Sequence, residues 1–158
     1  MVTPGLICRG ESGVKYRLVS SLGTQIRGRA PNVWLAVDNS NSAIQYIVKR
    51  PSMNDVADES SSNAFPAFNY ELDMQRTFLH DPMIRKLVDY IPDSESGGPM
   101  MVLEAFTNSL WEARNARPFT AKEIKWIMKG VLLGLVTIHM KGFVYTGKKV
   151  ILALEATY

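Results

Sequence analysis

Lys49 and Glu71 are the first residues whose types and spacing suggest chemistry. Lys49 ends the alternating segment AIQYIVK, and Glu71 lies 22 residues later within FNYELDMQRTF. A lysine on a strand and a glutamate on a helix packed across that strand can form an ion pair, which holds the ammonium ready for phosphate oxygens. Taken alone, each residue is more typical of a solvated charge, so the surrounding elements decide the interpretation.

Five segments have the composition or the alternation of β-strands. They read KYRLVSSLG, NVWLAVD, AIQYIVK, IRKLVDYI and PMMVLEAF. In the third, alternation places Tyr46 and Val48 on one face and Ile47 and Lys49 on the other. A helical pattern starts at Pro66, between the third and fourth strands, and stops before Pro82. Residues 1–15 contain glycines, a proline and little periodicity, and we predict a loose leader there.

The last third of the chain is predicted to be helical. Thr120 and Glu123 have the spacing of a capping box, and the helix behind them is apolar almost all round. Such a helix is typically enclosed by others, and Gly130 and Gly134 indicate the close approach of another element. Because this chain supplies few partners for it, we expect an exposed apolar patch and either a protein partner or self-association.

Composition excludes several classes of function. The 158 residues carry a net charge of +3, which is too mild to indicate nucleic-acid binding. Cys8 is the single cysteine, and no Cys/His cluster has metal-ligand spacing, so we expect neither a disulfide nor a metal site. No apolar run is long enough to span a bilayer. We therefore expect an intracellular protein, cytoplasmic or nuclear, without a membrane partner.

The order of these segments resembles that of a eukaryotic protein kinase domain, over residues 16–144. In that family the third strand reads Val-Ala-Ile-Lys, which YIVK approximates, and its lysine pairs with a glutamate of the helix called αC, here Glu71. The implied fold is α+β: a kinase-like small lobe with a five-stranded antiparallel sheet and helix αC at 16–106, then the first helices of an incomplete helical large lobe at 107–158. The leader occupies 1–15.

The resemblance implies an ATP site, with Leu103 at the gatekeeper position and Glu104 to Phe106 as hinge residues. The full set of implied nucleotide-binding residues is Gly23, Gly28, Val33, Lys49, Leu103, Glu104 and Phe106. The family also expects a Gly-x-Gly-x-x-Gly loop whose backbone N–H groups approach the phosphates. Here GTQIRGRAPNV keeps Gly23 and Gly28 but adds bulk and Pro31, a departure that weakens the prediction of nucleotide binding.

A second departure concerns catalysis. IHMKGFV resembles the approach to the family's catalytic loop, but only Gly147, Lys148 and Lys149 separate Thr146 from Val150. The aspartate that acts as base and the asparagine that binds Mg²⁺ are both missing. The chain also ends at Tyr158, before an Asp-Phe-Gly segment. We expect a catalytically inactive, ATP-binding domain with no metal ligands. The alternatives are an active Ser/Thr-type kinase, as membership would imply, and a truncated kinase product without independent function.

Overall fold

The computed structural model describes residues 2–22, 31–52, 65–106 and 109–145. Its elements are β1 (Ile7–Arg9), β2 (Lys15–Ser21), β3 (Val33–Asp38), β4 (Gln45–Lys49), α1 (Pro66–Thr77), β5 (Leu87–Ile91), β6 (Met100–Glu104), α2 (Leu110–Ala116) and α3 (Ala121–Met140). Within these ranges the six strands form one antiparallel sheet in the order β1-β2-β3-β4-β6-β5. Strands β2 to β6 and helices α1 and α3 lie where the sequence predicted them.

The chain divides into two compact units. The first comprises Met1–Thr77 and Leu87–Ala105, and the second comprises Phe78–Lys86 and Phe106–Tyr158. All six strands and α1 belong to the first unit, whereas α2 and α3 belong to the second. Among the described residues, no helix is both long and apolar enough to cross a membrane.

The sheet of the first unit separates two apolar cores, because alternation sends successive side chains to opposite faces. Along β6, Met100 and Val102 join one core, while Met101 and Leu103 join the other. The first core is enclosed by the curled sheet itself and includes Tyr16, Leu18, Trp34, Ala36, Val48 and Ile91. The second core lies under α1, which contributes Phe68 and Leu72.

Two predictions about the elements were wrong. Residues 1–15 are not a loose leader throughout, since β1 pairs with β2 through Ile7–Arg17 and Cys8–Tyr16, and the Cys8 side chain is fully buried. The sheet therefore has six strands where five were expected. A strand of three residues gives no periodicity to detect, and its stability comes from the backbone of β2 and from burial of Cys8.

The second unit contains one helix that was predicted and one that was not. The capping box at α3 is confirmed: Thr120 Oγ1 accepts from the Glu123 backbone N–H, and the Glu123 carboxylate accepts from the Thr120 N–H at 2.7 Å. Helix α2 begins with the same arrangement at Ser109 and Glu112. Its Ser-x-x-Glu spacing is visible in the sequence, so α2 was predictable from the signal that identified α3.

Candidate functional site

The candidate site is built on the face of the sheet that α1 covers. Strand register places Val33 opposite Lys49 and Lys49 opposite Met101, so these three residues lie side by side across β3, β4 and β6. Directly paired residues in an antiparallel sheet share a face. One pair further along the same face, Ile47 stands opposite Leu103. Lys49 is thus the one charged residue of a mainly apolar row.

Helix α1 is held against this face by its apolar side chains. Phe68 is 3% exposed and Leu72 is 4% exposed, and both belong to the core that contains Met101 and Leu103. Glu71 precedes Leu72, so docking of Leu72 fixes where the Glu71 backbone lies along the sheet. Burial of apolar surface therefore positions a carboxylate that is itself half-exposed.

Lys49 and Glu71 form an ion pair between β4 and α1. The Lys49 Nζ lies 2.5 Å from Glu71 Oε1 and also contacts Glu71 Oε2. Their side chains are 29% and 38% exposed, so the pair contributes at most about 1 kcal/mol to stability. An ammonium has three N–H donors. Two of these N–H groups point at the Glu71 carboxylate, which leaves the third free to donate to an anion. Glu71 therefore orients the Lys49 ammonium without using all of its donors.

Of the other predicted site residues, Leu103 shares the face of Lys49. Leu103 is buried in the core under α1, and Glu104 pairs with Tyr46 at the end of the β6 ladder. Phe106 belongs to the second unit, where the Arg85 guanidinium lies 4.7 Å from its ring centroid. Gly23 and Gly28 lie outside the described residues. The structure therefore brings Val33, Lys49, Glu71 and Leu103 to one face, and their binding role stays a prediction.

A second polar cluster in the first unit was missed by the sequence interpretation. Asp89 is 9% exposed and accepts hydrogen bonds from the Ser12 hydroxyl, the Ser12 backbone N–H at 3.2 Å and the Tyr16 hydroxyl at 2.9 Å. Burial, together with the Asp89 carboxylate, raises the pKa of Tyr16. One aspartate within LVDYI gives no warning of this cluster, because its partners are 73 and 77 residues away in the sequence.

Metal-ligating side chains do not converge in the described part of the chain, where no group of three His, Cys, Asp or Glu residues could hold an ion. Cys8 is buried in β1, and its Sγ donates to the Ser96 carbonyl at 3.2 Å. Burial raises the pKa of the Cys8 thiol, which keeps it in the less reactive protonated form.

No family model and no curated protein matches this sequence. Among solved structures, that of vaccinia related kinase 3 is similar, with 14% sequence identity and a TM-score of 0.49. The alignment covers 89% of this chain and 43% of the kinase chain, so this chain spans less than half of that protein's length.

Proposed function

We propose that this chain is a kinase-like domain whose first unit binds the phosphates of a nucleotide such as ATP at Lys49 and does not transfer them. The observation that supports the proposal best is the ion pair between Lys49 of β4 and Glu71 of α1. A strand lysine oriented by a helix glutamate is the arrangement with which the kinase family contacts nucleotide phosphates. The order of elements around the pair agrees with that family.

The chemical fit of a nucleotide rests on three features of the same face. Lys49 is 29% exposed, so its ammonium is reachable by an anion, and Glu71 holds it in a fixed direction. Val33 is half-buried directly across from Lys49 and provides apolar surface for a base or ribose. When bound, ATP would supply the phosphate oxygens that Lys49 contacts, and the protein would supply position and charge.

Phosphotransfer would require groups that this sequence lacks where the kinase resemblance would place them. Transfer depends on neutralising charge with Mg²⁺ and on a base for the substrate hydroxyl. The segment TGKKV, where the kinase resemblance would place these groups, has neither aspartate nor asparagine. That segment, residues 146–150, lies outside the described residues.

The test is nucleotide binding by the purified chain, measured by calorimetry with ATP in the presence and absence of Mg²⁺. We expect saturable binding that Lys49→Met weakens about 10-fold or more, since loss of a charge-assisted contact costs at least about 1.4 kcal/mol. Lys15→Met is the matched control. Lys15 is an exposed lysine of β2 in the same unit, and β3 separates β2 from β4, the strand that carries Lys49.

Two results would contradict the proposal. Wild-type protein that shows no saturation at millimolar ATP would remove nucleotide binding. Equal weakening by Lys49→Met and Lys15→Met would show that general charge, and not the pair with Glu71, attracts the nucleotide. Transfer of radiolabelled phosphate to a generic protein substrate, abolished by Lys49→Met, would favour the active-kinase alternative over binding alone.

We also propose that α3 binds an acidic amphipathic helix of another protein. Ile124, Met128, Leu132, Val136 and Met140 recur every fourth residue along α3, and each is between 49% and 84% exposed. Such a row is a ridge that packs into the groove of a second helix, and it runs roughly 24 Å at 1.5 Å per residue. The helix is not enclosed within the described part of the chain; its buried residues are Gly130 and Gly134.

Charge indicates the chemistry of the partner helix. Lys122, Lys125 and Lys129 are exposed on α3 at helical spacing, close to the apolar ridge. Glu123, the one acidic residue of α3, is paired with Arg117 at 2.5 Å. A partner that carries acidic residues beside apolar ones satisfies both features. Two copies of this face would bring lysines together, which disfavours self-association.

A further inference from the structure

The two edges of the sheet in the first unit meet through a polar seam. Residues Val2–Val14, which we name the strap, run from the N-terminal side of β1 to the start of β2. The backbone N–H of Glu11 donates to the Tyr90 carbonyl of β5 at 2.9 Å, and that of Arg9 donates to Glu95 Oε2 at 3.2 Å. The strap thus covers β5, which is an edge strand of the sheet.

Asp89 lies at the centre of this seam. Ser12 of the strap donates to both of its carboxylate oxygens, and Tyr16 donates to Oδ2. A Cβ on Gly10 would overlap Asp89 Oδ2 and approach Tyr16 Cε2 within 2.9 Å, so the strap backbone comes as close as a glycine allows. The contact is therefore built from residues of the strap, β2 and β5.

A carboxylate is an unusual choice for a purely structural seam. Burying it costs free energy that hydrogen bonds must offset, and a well-packed apolar residue often stabilises such a position more. The carboxylate differs from an apolar residue in the open state, because water solvates it as soon as the strap leaves. Compared with an apolar residue at this position, Asp89 therefore lowers the free energy needed to open the seam, while its hydrogen bonds to Ser12 and Tyr16 still favour the closed state.

We propose that the strap separates from β5 as a unit while the rest of the sheet stays paired, and that Asp89 is the clasp that holds it closed. Opening uncovers the backbone edge of β5 at Tyr90, which could then pair with an added strand. The same movement releases Cys8, whose thiol donates to Ser96 in the β5–β6 turn and is fully buried when the seam is closed.

Cys8 makes the opening measurable without an engineered probe, because it is the single cysteine of the chain. The experiment is labelling of the native protein with an aromatic disulfide reagent at fixed pH and increasing urea. Opening exposes only the strap's part of the first core, which includes Val2, Leu6 and Cys8, so the labelling rate should depend on urea less steeply than global unfolding measured by circular dichroism. We expect this shallow dependence in the wild type.

The variants test the clasp itself. Ser12→Ala removes one contact with Asp89 and should raise the labelling rate about 10-fold, as expected for a hydrogen bond to a charged group. Asp89→Asn removes the charge and should raise the rate further. Ser40→Ala is the matched control: it deletes an exposed serine–aspartate hydrogen bond, to Asp38 at 2.6 Å, outside the strap, and should leave the rate unchanged.

Two outcomes would overturn the inference. Labelling with the full urea dependence of global unfolding, in the wild type and both variants, would mean that no separate opening exists. An unchanged rate in Ser12→Ala would mean that Asp89 is not the clasp, and this variant decides the matter even where Asp89→Asn fails to fold. Neither result depends on nucleotide binding at Lys49.

Discussion

A crossed comparison of Glu71→Gln with Leu72→Ala tests how the candidate site is assembled. The two residues are neighbours on α1 but have opposite roles. Glu71 contacts Lys49 and its side chain is 38% exposed, whereas Leu72 is 4% exposed in the core under the helix. We expect Glu71→Gln to lower ATP affinity more than the free energy of unfolding. We expect Leu72→Ala to lower the free energy of unfolding more than ATP affinity.

The magnitudes follow from burial. Truncation of a buried leucine to alanine costs about 2–5 kcal/mol, because apolar contact is lost and a cavity remains. The exposed ion pair contributes about 0.2–1 kcal/mol, so Glu71→Gln should cost no more than that. For ATP, however, a lysine without an oriented partner should bind about 5- to 10-fold more weakly, which corresponds to roughly 1–1.4 kcal/mol.

Two measurements are needed for each variant. Unfolding by urea is monitored by circular dichroism, and ATP binding is titrated in the absence of urea. The urea concentration at the unfolding midpoint should fall clearly in Leu72→Ala and only slightly in Glu71→Gln. The dependence of the unfolding free energy on urea concentration should be the same in both variants. ATP affinity of the folded protein should fall in Glu71→Gln. Equal destabilisation by the two substitutions would refute the reasoning, because it would show that the ion pair and not apolar burial attaches α1 to the sheet.

Two further predictions concern the second unit. The Arg117 guanidinium and the Thr120 cap lower the pKa of Glu123 to about 2; the stabilisation this gives is present above the ordinary value of 4.5 and is lost as the pH falls through about 2. Glu123→Gln should therefore remove the loss of helix stability that circular dichroism detects between pH 4.5 and about 2. An acid transition that is the same in Glu123→Gln as in the wild type would contradict this prediction. For the α3 ridge, Leu132→Glu should abolish binding of an acidic amphipathic peptide in fluorescence anisotropy, while the exposed control Ala116→Glu on α2 should retain it. Concentration-dependent dimerisation lost in Leu132→Glu would indicate self-association instead.

Strand β4 shows what could be predicted from sequence alone. Its alternation assigned Tyr46 and Val48 to one face and Ile47 and Lys49 to the other, and the two cores have this division. This division depends on local periodicity, which a sequence displays directly. The pairing of Glu71 with Lys49 was predicted from the order of the segments and the kinase resemblance, because each residue taken alone is typical of a solvated charge.

Strand β1 and the Asp89 cluster show what could not be predicted. Three residues are too few for a periodic signal, so β1 exists because β2 provides a backbone to pair with. Asp89 depends on Ser12 and Tyr16, which the curl of the whole sheet brings to it. Contacts between the two ends of a sheet are set by twist and curvature accumulated over all of its strands, and no single segment encodes them.

The strap and the Lys49 face are physically connected through β6. Met100 and Val102 pack in the core that the strap closes, and the alternate residues Met101 and Leu103 pack under α1. Met101 stands directly opposite Lys49, and Val102 stands directly opposite Asp89. The seam at Asp89 and the ion pair at Glu71 therefore border neighbouring residues of the same short strand, on its two sides.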